Sequence, residues 1–295
     1  MTAAQKEAQK NRGTLFVEDG ELLSVQAFPG DQFIMRIRAP RCADKAQPGS
    51  FVHLTCDESL PMRRPLSIMR AEDDWVEVLF KIVGQGLRLL SRKKPGDTIS
   101  VLGPIGRGFT LSPSRPNALL IGGGVGIPPM VFIADRLRKD GAHWRPMACL
   151  GSELPFPFAL RRSKFETPWL DASVVSAMPL LEDWGVPSRL ATLAGFEGCF
   201  DGYVTELAER WLASLPAAEI ARTEVFACGP TLMLKAVAAL AARHGLPCQV
   251  SLEEYMACAV GGCAGCVVRV ETPEGPAMKR VCVDGPVFDA TTLAW

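Results

Sequence analysis

Cys258, Cys263, Cys266 and Cys282 stand in the pattern C-x4-C-x2-C-x15-C near the end of the sequence. Thiolates are soft metal ligands, and the spacing of the first three cysteines is that of plant-type two-iron clusters, where one tight loop supplies three sulfurs and a fourth arrives from farther along the chain. Gly261, Gly262 and Gly265 suit such a loop, because glycine accepts unusual dihedrals and lets the backbone approach sulfide. Zinc held by four thiolates is the competing chemistry, but zinc cysteines usually come as two close pairs, and Cys282 has no near neighbour. The spacing predicts a 2Fe-2S centre. Cys42, Cys56, Cys149, Cys199 and Cys248 lie at no ligand spacing and are expected as small buried hydrophobes.

Phosphate binding is the second chemistry. Gly122-Gly123-Gly124-Val125-Gly126 follows an apolar run and precedes a helical one, so its backbone could turn tightly against a pyrophosphate at a helix N-terminus. The spacing is not the standard dinucleotide fingerprint, and a plain strand-to-helix turn would use the same glycines. Arg64-Pro65-Leu66-Ser67 offers a guanidinium fork for pyrophosphate and a hydroxyl for a ring nitrogen. Lys81-Ile82-Val83-Gly84-Gln85-Gly86-Leu87 ends a strand with two glycines ahead of a short helix, a second place for backbone amides to hold phosphate. Two phosphate sites imply two nucleotides. After Gly151-Ser152 comes Glu153, which could accept from a ribose hydroxyl and repel a 2′-phosphate; the nearest downstream arginine is Arg161, which favours NAD over NADP. His53, His143 and His244 are scattered, and no hydrolytic triad is legible.

The elements that must position these residues fall into two rhythms. Up to residue 102 short alternating runs are separated by turns: Met35 and Ile37, Phe51 to Leu54, then Val76, Val78, Phe80 and Ile82 on one face, with Pro95-Gly96-Asp97 before Thr98 to Leu102. This predicts a small antiparallel barrel. After the glycine-rich link from Gly103 to Phe109 the pattern becomes strand then helix. Ala118 to Ile121 precedes a helix over Met130 to Arg138, Pro146 to Leu150 a helical stretch near Phe158, and Glu224 to Ala227 a helix over Leu232 to Arg243; Ala172 to Val175 is a further strand candidate. An α/β domain with a mainly parallel sheet is expected, ending near Cys248.

Composition bounds the rest. The 295 residues are enough for about two domains, 48% hydrophobic and 22% charged residues are globular values, and 32 basic against 32 acidic side chains give no field for nucleic acid. Met1 to Arg12 lacks a secretory apolar core. The longest uncharged run, Pro116 to Ala134, holds four glycines and Pro128-Pro129, which argues against a membrane span. Ten cysteines without a leader point to a cytoplasmic protein with metal or redox chemistry.

Arg64-Pro65-Leu66-Ser67, Gly84 to Gly86, Gly122 to Gly126, Cys228-Gly229-Pro230 with Met233 and the C-terminal cysteines together resemble the ferredoxin-NADP reductase superfamily. Within it, Glu253 to Cys258 and Val281 to Phe288 are similar to the electron-transfer subunits of class B dihydroorotate dehydrogenases. The resemblance implies a multi-domain chain: an antiparallel FAD-binding β-barrel over 14–111, an α/β NAD(H)-binding domain over 112–247 and a small 2Fe-2S domain over 248–295. It implies that Arg64, Pro65, Leu66 and Ser67 hold FAD, with Lys81, Ile82, Val83, Gly84, Gly86 and Leu87 beside them. Gly122, Gly123, Gly124, Gly126 and Glu153 would face NAD(H). Cys228, with Gly229 and Pro230, would lie against the reacting rings as the catalytic residue, and Cys258, Cys263, Cys266 and Cys282 would be the metal ligands. The implied partner is an FMN-containing dihydroorotate dehydrogenase catalytic subunit in a hetero-oligomer, with electrons passing through cluster and FAD to NAD in pyrimidine biosynthesis. Small subunits of other NAD(P)-linked ferredoxin or sulfide oxidoreductases share the three domains, and a non-catalytic redox-sensing module is a further alternative. Two positions depart from the family: Leu87 replaces a threonine or serine, and Ala259 replaces a glycine.

Overall fold

The computed structural model describes residues 15–295; the expected domain start at residue 14 and the reading of Met1 to Arg12 lie outside them. Six strands close into an antiparallel barrel: β1 (Phe16–Phe28), β2 (Gln32–Arg38), β3 (Phe51–Leu54), β4 (Arg64–Glu72), β5 (Trp75–Lys81) and β6 (Thr98–Ile105), in the order β1-β2-β5-β4-β3-β6. Their period of two sends Ile37, Val52, Leu54, Ile68, Val78 and Phe80 into one apolar interior. Helix α1 (Pro40–Lys45) adds Cys42 to that core and α2 (Gly84–Leu90) adds Leu87 and Leu90. Ile82 lies just past the end of β5 and is only partly buried, unlike Val76, Val78 and Phe80.

The second rhythm builds β7 (Asn117–Gly123), helix α3 (Ile127–Asp140), β8 (Arg145–Gly151), the two-residue strands β9 (Arg161–Arg162) and β10 (Ser176–Ala177), α4 (Pro179–Asp183), β11 (Ser188–Thr192) and β12 (Phe200–Asp201). Then come α5 (Val204–Ser214), α6 (Ala217–Ile220), β13 (Thr223–Cys228), α7 (Thr231–Arg243), β14 (Cys248–Ser251), the hairpin β15 (Val267–Thr272) with β16 (Gly275–Arg280), and β17 (Val287–Asp289). Seven strands form one sheet in the order β12-β11-β8-β7-β13-β14-β17, parallel except for β17. The chain winds outward from β7 through β8 and β11 to β12, then returns to the other side of β7 as β13. The carboxyl ends of β7 and β13 are therefore a topological switch point, where open α/β sheets bind ligands.

Several expectations need correction. No helix forms near Phe158, where Pro155 and Pro157, alternating just before it, remove two N–H donors and hold the residues ahead of them extended. Ala172 to Val175 is not a strand: Asp171 accepts from the Ser173 N–H (2.9 Å) and hydroxyl (2.6 Å), closing a turn. The sheet strand there is β11, hidden in the sequence because it buries Ser188, Arg189 and Thr192. The Arg189 guanidinium donates to the Ser188 carbonyl (2.7 Å) and the Thr167 hydroxyl (2.9 Å), so an apparently polar run is interior. Residue 248 does not end the parallel sheet, since β14 pairs with β13 from Val225↔Cys248 to Cys228↔Ser251. Cys42, Cys56, Cys149 and Cys248 are buried as expected, and Cys199 is partly so.

Helix α3 joins barrel to sheet. Its apolar residues from Ile127 to Ala134 are all buried, with Phe132 in the barrel core while Met130, Val131 and Ile133 share a second core with Met69 of β4 and Leu79 of β5. At its end Lys139 reaches Glu72 of β4 (3.3 Å), and the buried Asp135 is held by Arg138 (2.7 Å) and Lys139 (2.6 Å). No described helix is long and apolar enough to cross a membrane.

Candidate functional site

Arg64 opens β4, and its Nη1 donates to the carbonyls of Met62 (2.8 Å) and Arg63 (3.1 Å). Gly86 lies against this guanidinium: a Cβ there would stand 2.9 Å from Nε and 3.0 Å from Cζ and Nη2. Two segments twenty residues apart thus meet at one point. Gly84 adopts φ +73°, a left-handed value that favours glycine, and opens α2 with no side-chain cap on its first N–H groups. Leu66 points into the barrel core, while Pro65 and Ser67 lie on the opposite, half-buried face of β4. Leu87 also belongs to the barrel core, so its apolar side chain is taken up by packing and the backbone amides are what this turn offers an anion. Lys81 and Val83 are exposed at the rim. Arg63 is a brace, its Nη1 donating to the carbonyls of His53 (3.1 Å) and Ser100 (2.8 Å) and its Nη2 to the Ser100 hydroxyl (2.9 Å).

At the switch point Gly122 pairs with Cys228 on one side and Leu150 on the other, and Gly123 pairs with Gly151. Gly126 presses on the main chain of Cys228 and Gly229, leaving only 2.5 Å between an added Cβ and the Gly229 nitrogen. Gly123 meets Met233 and Pro230 in the same way. Gly124 has φ +54° with open space around it, and α3 starts at this turn without a side-chain cap. A crevice floored by glycines and headed by the positive end of a fourteen-residue helix is suited to an anionic dinucleotide; Pro128 and Pro129 carry no N–H and the Ile127 N–H is taken by the Gly124 carbonyl, so the helix acts there through its dipole rather than through free donors. Glu153 is exposed two residues beyond β8, on the same rim.

Cys228 is fully buried, and burial, reinforced by the Glu253 carboxylate, pushes its thiol far above the ordinary range against the opposing hydrogen bonds of Ser251 and the Gly229 N–H. It is a neutral thiol at physiological pH, able to pack or donate weakly but not to act as a thiolate. Glu253 was not among the expected site residues. It follows β14 at the carboxyl edge and is exposed on one side, while the protein atoms crowded on the other partly desolvate its carboxyl and raise it. Its nearness in sequence to Ser251, which pairs with Cys228, was the available signal.

Cys258, Cys263, Cys266 and Cys282 stand as two neighbouring pairs. The Cys263 N–H donates to Cys258 Sγ (3.4 Å), and the thiols of Cys266 and Cys282 adjoin, with the Val281 N–H bonded to the Cys266 carbonyl (2.9 Å). Among the described residues no three of His, Cys, Asp or Glu converge on a single point. Desolvation is the largest influence on Cys258 and raises it, but hydrogen bonds from the N–H groups of Val260, Cys263 and Gly262 and from the Cys263 thiol together bring it down to about 7. The Gly265 N–H points at Cys263 Sγ (3.4 Å) and the Gly261 N–H at Cys282, whose own thiol is pushed up to about 12 by burial and by Cys266. Amides aimed at sulfur are the donor set an anionic iron-sulfur centre requires, so these residues fit one. Arg280 ties the loop, donating to the Gly261 carbonyl (3.2 Å). Ala259 takes φ +56°, the left-handed conformation that a glycine would adopt more cheaply.

Residues 253–294 match the family model of the iron-sulfur cluster binding domain of dihydroorotate dehydrogenase B. Over 292 residues the chain is 31% identical to the NAD-dependent dihydroorotate dehydrogenase B electron transfer subunit of Desulforamulus reducens, covering 95% of this chain and 98% of that protein. The Bacillus caldolyticus counterpart is 36% identical over 252 residues, 83% of this chain and 85% of its own. Among solved structures, an NADH-dependent reduced ferredoxin-NADP oxidoreductase involved in flavin-based electron bifurcation superposes with a TM-score of 0.74 at 27% identity, covering 94% of this chain and 90% of that one. The ferredoxin reductase of carbazole 1,9a-dioxygenase shares the fold (TM-score 0.58, 21% identity, 79% and 67% coverage). Matched along nearly its whole length to relatives of one kind, with its C-terminal segment matching their iron-sulfur domain, the chain belongs to the family of dihydroorotate dehydrogenase B electron transfer subunits.

Proposed function

We propose that this chain carries electrons between a catalytic dihydroorotate dehydrogenase subunit and NAD, using FAD on the barrel and a 2Fe-2S centre on the C-terminal loop. The observation that carries the reading is the match along 95% of the chain to a relative of that activity. When bound, FAD exchanges a hydride with a nicotinamide and single electrons with an iron-sulfur centre. The protein's part is positioning. Arg64 neutralises the flavin pyrophosphate, the amides of Gly84 to Gly86 complete that anion site, and Pro65 and Ser67 present the outer face of β4 to the ring. Gly122 to Gly126 and the start of α3 receive the dinucleotide phosphates, Glu153 the ribose, and Gly229 and Pro230 wall the nicotinamide, with the neutral Cys228 thiol buried behind them. Cys258, Cys263, Cys266 and Cys282 hold the iron.

The residues from 15 onward are taken up by barrel, sheet and cysteine loop, so the dihydroorotate pocket belongs to a partner, for which an FMN-bearing TIM barrel of about 250 residues is the expected form. The isolated chain is expected to oxidise NADH with ferricyanide and to leave dihydroorotate untouched, and adding the partner is expected to give dihydroorotate-dependent NAD reduction. Dihydroorotate turnover by the isolated chain contradicts this division. Faster reduction by NADPH than by NADH contradicts the role given to Glu153. A co-purifying partner that turns over ferredoxin and not dihydroorotate would assign the chain to the relatives typified by the ferredoxin-NADP oxidoreductase.

A further inference from the structure

Strand β3 carries a buried imidazole on the face it turns away from the barrel. Val52 and Leu54 point into the barrel core, so Phe51 and His53 point outward, and Phe51 packs with Ala259, Cys266, Val281 and Cys282. His53 lies opposite Pro65 of β4 on one side and Leu102 of β6 on the other. It is 1% exposed, and neither ring nitrogen completes a hydrogen bond. The main-chain carbonyls of Arg63 and Met256 both border the ring, close enough to act on it electrostatically without bonding geometry. Burial, together with the nearby Arg63 and Arg64 charges, keeps the ring neutral, with a single N–H to place. A buried donor left without an acceptor is costly, so a small shift of either carbonyl would be favoured.

The two carbonyls are not equally free to shift. The Arg63 carbonyl directly precedes β4 and already accepts from Arg64 Nη1 (3.1 Å), which holds it on the barrel. Met256 stands two residues before Cys258, in the loop whose path the metal ligands set. We propose that His53 is a positioning residue linking the two cofactor sites: with Cys258 ligated, the ring N–H takes the Met256 carbonyl and fastens the cysteine loop to the strand pair that carries Arg64 and Ser67. This rests on the reading that those residues hold FAD and iron. Linkage is reciprocal, so an occupied cluster site tightens FAD and bound FAD steadies the cluster.

The test measures FAD dissociation constants by flavin fluorescence on the full chain, cluster-loaded and after chelation, for the wild type, His53→Phe and His53→Gln. In the wild type, removing the iron is expected to weaken FAD about tenfold. His53→Phe should shrink that ratio to about twofold or less, and His53→Gln, which keeps an N–H donor, should recover most of it. A purely structural role would weaken FAD equally in both loading states. If His53→Phe does not fold, His53→Leu takes its place in the same comparison. A wild-type ratio near one, or an unchanged ratio in the phenylalanine or leucine variant, overturns the linkage alone; a chain that takes up neither FAD nor iron overturns the underlying reading with it.

Discussion

Replacing Gly86 with alanine separates stability from flavin binding in opposite directions. Gly86 is in the first turn of α2, where alanine is the better helix former by about 0.5–1 kcal/mol. The added methyl would stand 2.9 Å from Arg64 Nε and 3.0 Å from Cζ and Nη2, closer than real contacts permit. The obstacle is the end of a flexible side chain, so the guanidinium swings aside and the backbone keeps its place. Arg64 then loses its aim, and the loss of one charge-assisted hydrogen bond to pyrophosphate, about 1.5–3 kcal/mol, weakens FAD roughly 10- to 100-fold. Thermal unfolding of the flavin-free protein should show a Gly86→Ala midpoint equal to or above wild type, while fluorescence titration shows the weakened FAD. In an Arg64→Ala background the second substitution should cost nothing more, because both act on one interaction. Unchanged FAD affinity in Gly86→Ala, or full additivity with Arg64→Ala, would refute the shared anion site.

Gly126→Ala forces a methyl onto the main chain of Cys228 and Gly229, which cannot give way as a side chain can. It should destabilise by about 1–3 kcal/mol and slow NADH-dependent flavin reduction in stopped flow at unchanged FAD content. Ala259→Gly relieves the left-handed backbone at φ +56° and should raise the melting point of the iron-loaded chain by an amount equivalent to about 1 kcal/mol; a lower midpoint would show that the methyl's packing outweighs the strain. Burial and the neighbouring Arg63 charge push His53 down to about 4, below the value near 6.5 of an unfolded chain. The unfolded state therefore binds the extra proton between those limits, and stability present above pH ~6.5 is lost as pH falls towards 4, by about 3 kcal/mol. Urea unfolding from pH 7.5 downward checks this, with His53→Gln expected to flatten the decline.

What was legible in the sequence is what depends on local chemistry. The cysteine spacing, the Gly122 to Gly126 turn and the Arg64 to Ser67 strand declare themselves because ligand geometry and backbone freedom act over a few residues. What stayed hidden depends on tertiary partners. The strand β11 carries no apolar alternation that would mark it, because Arg189 and Thr192 are polar, yet the fold buries both and Arg189 is supplied with acceptors. The second task of α3, covering the barrel as well as the sheet, cannot be told from an ordinary apolar helix start. Leu87 stands out as a departure from the family's threonine or serine, and its place in the barrel interior accounts for an apolar residue there. The burial of His53 is invisible in sequence, since alternation along Phe51 to Leu54 says only that it points away from the barrel core, not that the cysteine loop covers it.

The central claim is that electrons reach the partner only through the cysteine loop, and Cys263, the most exposed of the four ligands, is the place to test it. The measurement is dihydroorotate-dependent NAD reduction by the Cys263→Ser chain reconstituted with its partner, run beside NADH oxidation by ferricyanide on the same preparation. The account predicts that coupled turnover is abolished while ferricyanide reduction, which a small acceptor can draw directly from flavin, stays near the wild-type rate. Coupled turnover that survives in Cys263→Ser would contradict it.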